Sequence, residues 1–451
     1  MLKKFDDPKV RQSAAMDDLV RKAVFGTTDE KAHARWLIWE IGQKAGVRPA
    51  SIHDLYLARG RGEVPAFTTP AMNVRVLSYD TGRAIFRAAK RLDVGAVICE
   101  IARSEIAYTD QRPAEYVAVM TAAALREGFP GPLFIQGDHV QVNAKKYAAD
   151  AEAELSALRA LIEEELHAGF YNIDVDTSTL VDLSQPDLPS QQRVNYERAA
   201  EFTKFIRERE PAGVTVSVGA EIGEVGGKNS DVHELKAFMD GYIRTLQKLG
   251  KPVGISKISV QTGTSHGGMV LPDGTIAKVQ LDLPALKALS QDARAKYGLG
   301  GAVQHGASTL PPEAFSKFPE CEAVEIHLAT NFQTIVMEHR ALPADLRRDV
   351  NEWVKTEAKE EWKKGDTEEQ FLYKSRKKAI GPFKKRFWDL PESVRAAIGA
   401  DLEKTFAFLF EQLRVKGTRQ ATDKYVKPPL DSHAAPRAAL VAAPDDAEAG
   451  E

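Results

Sequence analysis

The stretch that decides the fold is Pro132-Leu133-Phe134-Ile135-Gln136-Gly137-Asp138-His139. An apolar run halts at a glycine, and an acid and an imidazole follow at once. A buried parallel strand ends this way when its carboxyl tip opens onto a site. In a barrel of alternating strands and helices, reactive groups sit at those tips. An ordinary turn with an aspartate helix cap accounts for Asp138-His139 equally well when the pair is taken alone. Three later apolar runs end in the same manner, at Ala220-Glu221, Ser265-His266 and Gln304-His305, and the recurrence argues for a site.

Outward from that stretch, short apolar runs recur at residues 64–67, 95–100, 133–137, 171–175, 214–221, 255–261, 301–304 and 323–328. Amphipathic helical patterns lie between them, at 82–92, 114–127, 146–168, 191–209, 234–249 and 283–297, with a shorter one at 312–318. Near-continuous apolar strands are expected where helices cover both faces of a parallel sheet. The strict alternation predicts a closed (β/α)8 TIM barrel rather than an open doubly wound sheet. No Gly-rich phosphate loop follows Phe67 or Glu100, where an open nucleotide-binding sheet would carry one.

The spacing divides the chain into an N-terminal helical extension over 1–62, a barrel over 63–341, a charged C-terminal helical segment over 342–426 and a disordered tail over 427–451. Lys374-Ser375-Arg376-Lys377-Lys378 reads as a solvated face offset by nearby glutamates. With 451 residues and 43% hydrophobic content, the chain accommodates a barrel of about 250 residues with material to spare. A net charge of −3 supplies no basic surface for nucleic acid. Two cysteines make no disulfide framework, and neither a signal core nor an apolar run of about 20 residues is present. The expectation is a soluble cytoplasmic protein without membrane or nucleic-acid partners.

His139, His266 and His305 follow predicted strands three, six and seven, so barrel closure brings them to one face. Three neutral imidazoles around an open position make a catalytic zinc site. Singly, each reads better as a buried core histidine; together, each beside or one residue from a glycine, they read as ligands. Glu221 adds a carboxylate as fourth ligand or as an acceptor behind one. Asp138 is the candidate acid–base group. The loop 221–231 has the Gly-rich, polar character of a mobile lid. His305-Gly306-Ala307-Ser308-Thr309 offers backbone N–H groups and a hydroxyl for a phosphate, although a plain serine cap explains Ser308 nearly as well. His167, His233, His327 and His339 are weaker candidates, left as structural by default, although His327, like Lys228, puts a titratable or cationic group near the same rim.

At these residues the chain resembles the class II, metal-dependent ketose-bisphosphate aldolases, across roughly residues 52–333. The features are Val64-Pro65-Ala66-Phe67, Asp138-His139, Ala168-Gly169-Phe170 leading to Asp174-Val175-Asp176-Thr177-Ser178, Glu221 with Gly226-Gly227, His266-Gly267, and His305-Gly306-Ala307-Ser308. The resemblance implies that His139, His266 and His305 hold one zinc ion per subunit, with Glu221 in or near its coordination sphere. Asp138 would exchange a proton with the substrate's C4 hydroxyl. Gly267, Gly306, Ser308 and Thr330 would bind phosphate. The reaction implied is reversible retro-aldol cleavage of a ketose phosphate or bisphosphate to dihydroxyacetone phosphate and an aldehyde, by a homodimer or homotetramer.

The chain departs from the family pattern in three places. Lys228-Asn229-Ser230 stand where acidic lid residues follow the Gly-Gly pair. His327-Leu328-Ala329-Thr330-Asn331 replaces an Asn-x-Asp-Thr-Asp run and keeps only the threonine. No lysine follows His266-Gly267. These differences imply a surviving phosphate site at one end of the substrate and a different reading of the other end. Gly137-Asp138-His139 with Asn143, and Glu100, also resemble the accessory subunit of tagatose-bisphosphate aldolase, a barrel without aldolase activity of its own. Another metal-dependent lyase or epimerase of sugar phosphates is the third reading.

Overall fold

The computed structural model describes residues 2–223, 228–264, 271 and 280–436. Eight parallel strands close a barrel in strict chain order: β1 (Thr69–Asn73), β2 (Ile98–Ala102), β3 (Phe134–Gln141), β4 (Asn172–Asp176), β5 (Ser217–Glu221), β6 (Lys257–Val260), β7 (Ala302–Gln304) and β8 (Glu325–Leu328). The predicted (β/α)8 barrel is therefore the fold. β8 pairs with β1 through Ala71 and His327, which closes the sheet. A closed sheet has no edge to protect, and the strands are buried nearly throughout because helices cover their outer side.

Helices form where capping and periodicity agree. Asp150 accepts from the backbone N–H of Ala153 to start the helix Ala151–Ala168, and Gly169 ends it in the left-handed region at φ 103°. Asp231 and Glu234 make a reciprocal capping box at the head of Val232–Lys248. Asp282 caps Leu283–Tyr297, whose second residue is proline.

The first strand departs from expectation. The run at 64–67 leads into the barrel, and β1 begins only at Thr69, with Pro70 inside it. A proline within a run reads as a strand breaker, which hid the strand.

Both helical extensions pack on the barrel's outer layer. Glu115, on the helix Pro113–Glu127, receives Arg35 from the N-terminal side at 3.0 Å and Lys384 from the C-terminal side at 2.5 Å. Trp388 meets Phe25 edge-on at 5.4 Å and stacks on Tyr79 at 6.1 Å. The long helix Glu392–Gln412 lies along Ser78–Arg91, tied by Arg395 to Asp80 at 3.1 Å and by Arg87 to Glu403 at 2.8 Å.

The tail predicted to be disordered from residue 427 is ordered as far as 436, and residues 437–451 lie outside those described. Trp39 Nε1 donates to the Asp431 carbonyl at 2.6 Å, and Trp39 stacks on His433 at 4.6 Å. Its composition suggested disorder, but two tryptophans of the helix Thr28–Ala45 supply donors and an aromatic face that hold it. No helix among the described residues is long and apolar enough to cross a membrane.

Candidate active site at the barrel mouth

Gly137 lets β3 run close to the helix behind it. A Cβ there would lie 2.7 Å from the Glu165 carboxylate. Beyond Gly137 the register shifts: Gly137 pairs with Ile173, but Val140 pairs with Val175, so β3 carries one extra residue. His139 absorbs it at φ 41°. A bulge of this kind re-aims side chains. Asp138 and His139, which regular alternation would send to opposite faces, both line one cavity of about 580 Å³. β3 thus continues to Gln141, past the point where its apolar run stops.

The cavity gathers residues from the carboxyl ends of the strands and the loops after them: Arg75, Glu100, Asp138, His139, Glu221, His305 and His327. His139 Nδ1 donates to Asp176 Oδ2 at 3.0 Å, and Glu221 Oε2 lies 3.4 Å from the same nitrogen. Asp176 is held in turn by Gln141 Nε2 at 2.6 Å and by the Ser178 hydroxyl at 2.7 Å. His305 Nε2 lies 2.9 Å from Ser259 Oγ, and its ring centroid is 4.2 Å from that of His139.

Donor atoms of His139, Glu221 and His305 lie within 4.8 Å of one another. Two imidazoles and a carboxylate are a donor set suited to zinc and related divalent metals. Each histidine has a polar partner behind it, Asp176 or Ser259, as metal-binding histidines require. The local charge agrees with a cation. The buried carboxylates Glu100, Asp138, Asp174, Asp176, Glu221 and Glu325 face Lys257 and three imidazoles. These residues fit a divalent metal.

Electrostatics follow from this crowding. Burial opposes charge on His139, but Asp138, Asp176 and Glu221 outweigh it and hold the ring well above its usual range. Burial, then the charge of Asp176, pushes the Glu221 carboxyl well above the ordinary carboxylate range. Asp176 is lowered despite burial because His139 donates to it. Metal uptake must displace the His139 proton, so binding weakens as pH falls.

His266 and Gly267, expected as zinc ligand and phosphate contact, lie outside the described residues, as does the 224–227 part of the expected lid. Gly306, Ser308 and Thr330 all line the cavity. The Ser308 hydroxyl accepts from the backbone N–H groups of Ala329 at 2.6 Å and Thr330 at 3.2 Å, so it caps the helix Thr330–Met337. Those two N–H groups are thereby taken, and the helix the hydroxyl caps is the one after β8, not the short stretch that follows Thr309.

His327, left structural by default but expected near the rim, takes a larger part in the site than that default. It lines the cavity, with Nδ1 3.0 Å from Glu100 and 3.1 Å from Asp138, and its ring stacks on His305 at 3.9 Å. Its place on β8 beside His305 was visible, but nothing local marked its partners. Asp176 and Lys257 were likewise missed as site residues: Asp176 directly follows the run 171–175, the same signal that marked Asp138, whereas Lys257 inside the run 255–261 carries no distinguishing spacing. A correction concerns the C-terminal lysines. Lys374 and Lys377 line the cavity rather than a purely solvated face. Lys374 pairs with Asp366 at 2.8 Å, whereas Lys377 is in no ion pair among the described residues and lies 5.8 Å over the Tyr108 ring.

A closed barrel whose ionisable groups converge at the carboxyl ends of its strands has the arrangement in which barrel enzymes carry their active sites. This chain is a member of the class II fructose-bisphosphate aldolase family, whose model matches residues 64–378. Among solved structures, it is similar to one described as a probable tagatose 6-phosphate kinase from Sinorhizobium meliloti, at 17% identity and TM-score 0.54, covering 78% of this chain and 98% of that one. A fructuronate–tagaturonate epimerase from Cohnella laeviribosi matches at 12% identity and TM-score 0.53, covering 78% of this chain and 82% of that one. A fructose-bisphosphate aldolase from Campylobacter jejuni matches at 18% identity and TM-score 0.46, covering 81% and 94%. Identities this low show a shared fold alone. No curated protein matches this chain.

Proposed function

We propose that this protein is a zinc-dependent aldolase-type lyase. It cleaves, reversibly, the C3–C4 bond of a ketose phosphate, between the carbons α and β to the C2 carbonyl, giving dihydroxyacetone phosphate and an aldehyde. The observation that carries the reading is the bulge that turns Asp138 and His139 into one cavity with Glu221 and His305, in a chain of the class II aldolase family.

His139, Glu221 and His305 would hold the metal, with His266 as a further ligand. When bound, the metal would supply a Lewis acid that stabilises the negative charge left on the ketone fragment as the C3–C4 bond breaks. Asp138 accepts the proton of the C4 hydroxyl. The C4–O bond becomes the aldehyde carbonyl, and the C3–C4 electron pair passes to the ketone fragment, which takes up a proton at C3. Asp176 and Ser259 orient the two imidazoles. Lys377 and Lys146, cationic and in no ion pair among the described residues, stand on the cavity wall and suit the anionic end of a phosphorylated sugar.

Metal analysis of the purified protein, with an assay panel of ketose 1-phosphates and 1,6-bisphosphates, tests the proposal. About one equivalent of divalent metal is expected, with cleavage lost on chelation and restored on readdition. Metal-loaded protein that cleaves no ketose phosphate, alone or with a catalytic partner subunit, overturns it.

A further inference from the structure

His327 is clamped on both edges. Its Nδ1 faces Glu100 Oε2 at 3.0 Å and Asp138 Oδ1 at 3.1 Å. Its Nε2 faces Glu325 Oε1 at 2.7 Å and Asp174 Oδ2 at 3.6 Å. Glu325 is pinned from below by fully buried Lys257 at 2.5 Å and by the Tyr56 hydroxyl. Lys257 also bonds Asp174 at 2.9 Å and Gln136 at 2.7 Å, and Gln136 donates to Glu100 at 3.0 Å. One ring face stacks on His305, with 28° between the planes. The imidazole has no room to turn.

Asp138 is placed differently. Its backbone stays in register with Ala102 of β2 while the pairing of β3 with β4 shifts beyond Gly137, and of the imidazoles around its Oδ1 the nearest is His327 at 3.1 Å, with His139 and His305 at 3.9 Å. A second carboxylate, Glu100, shares the His327 edge with it. Without the imidazole between them, the charges of these two carboxylates repel each other.

We infer that His327 is a positioning residue, which transmits the rigidity of the Tyr56–Glu325–Lys257 pillar to Asp138 and holds its carboxylate in the cavity. The inference rests on the aldolase reading for the task of Asp138, but not for its placement. A misplacement of about 1 Å at a reacting group costs roughly a hundredfold in rate.

The test uses the full-length, zinc-loaded protein with fructose 1,6-bisphosphate and tagatose 1,6-bisphosphate as probes, and crystal structures of the variants. In His327→Ala the Asp138 carboxylate should leave its position, and kcat should fall about 10- to 100-fold with KM changed less than about 3-fold. His327→Gln, which keeps one donor edge and also serves if the alanine variant does not fold, should recover part of the loss. In an Asp138→Asn background, adding His327→Ala should cost less than about 3-fold, because the two act as one unit. An unmoved Asp138 in the variant crystals, or losses that simply multiply, overturns the inference. If the wild-type protein cleaves neither sugar, these two bisphosphates are not its substrates, and the position of Asp138 in the variant crystals alone decides the role of His327.

Discussion

Asp138 and His139 are neighbours in sequence, yet both face the same cavity, because His139 takes φ 41° where β3 carries an extra residue. One bulge therefore places a candidate proton carrier beside a candidate metal ligand. The strand could not do this with regular alternation.

If His139, Glu221 and His305 hold the metal, removing one donor removes the ion. His305→Ala should fold, as judged by circular dichroism, but retain less than roughly a tenth of the wild-type metal and lose activity by a hundredfold or more. Full metal content in this variant would exclude His305 from the ligand set. In the wild type, apparent metal affinity should fall as pH is lowered, since His139 is held protonated in the absence of metal.

Asp138→Asn keeps shape and loses the base. Turnover should drop about a hundredfold or more while metal content and melting temperature stay near wild type. Unchanged turnover removes Asp138 from the mechanism, and loss of metal makes it a support for the ligands.

Lys377 contributes charge from outside the barrel strands. Lys377→Ala should raise KM for a ketose bisphosphate about 10-fold and leave kcat within about 3-fold. The salt dependence of kcat/KM should weaken in parallel. An unchanged KM would show that the anionic end is read elsewhere on the wall.

Glu165 gives a pH signature in stability. It is fully buried behind Gly137, neither oxygen has a hydrogen-bond partner among the described residues, and burial pushes its carboxyl up to about 8 from the usual 4.5. The folded state therefore binds a proton between those pH values that the unfolded state has released, so stability declines as pH rises from about 4.5 to about 8. A tenfold difference in proton affinity between the two states corresponds to about 1.4 kcal/mol, so the full decline is on the order of a few kcal/mol. Glu165→Gln should flatten that decline in urea unfolding measured at pH 5 and pH 8. The same slope in variant and wild type would assign the pH dependence to other groups.

Much of the architecture was legible because it rests on local regularities. Apolar runs alternating with amphipathic stretches specify strands and helices through side-chain period alone, and their strict alternation selects a closed parallel barrel. The abrupt ending at Gly137-Asp138-His139, and its recurrence at Glu221 and His305, followed from polar residues placed where an apolar run stops. β1 escaped because Pro70 lies inside it.

What tertiary structure alone decided is which of these groups meet. His327 looks like any strand histidine until closure of β8 against β1 brings it to Glu100 and Asp138. Lys257 and Asp176 become site residues only through partners on other strands. Lys377 reaches the cavity, and residues 427–436 are held, only because distant helices pack where they do. Secondary structure follows from spacing along the chain. Distances between charged atoms follow from loop closures that bring remote segments together, and no local pattern encodes them.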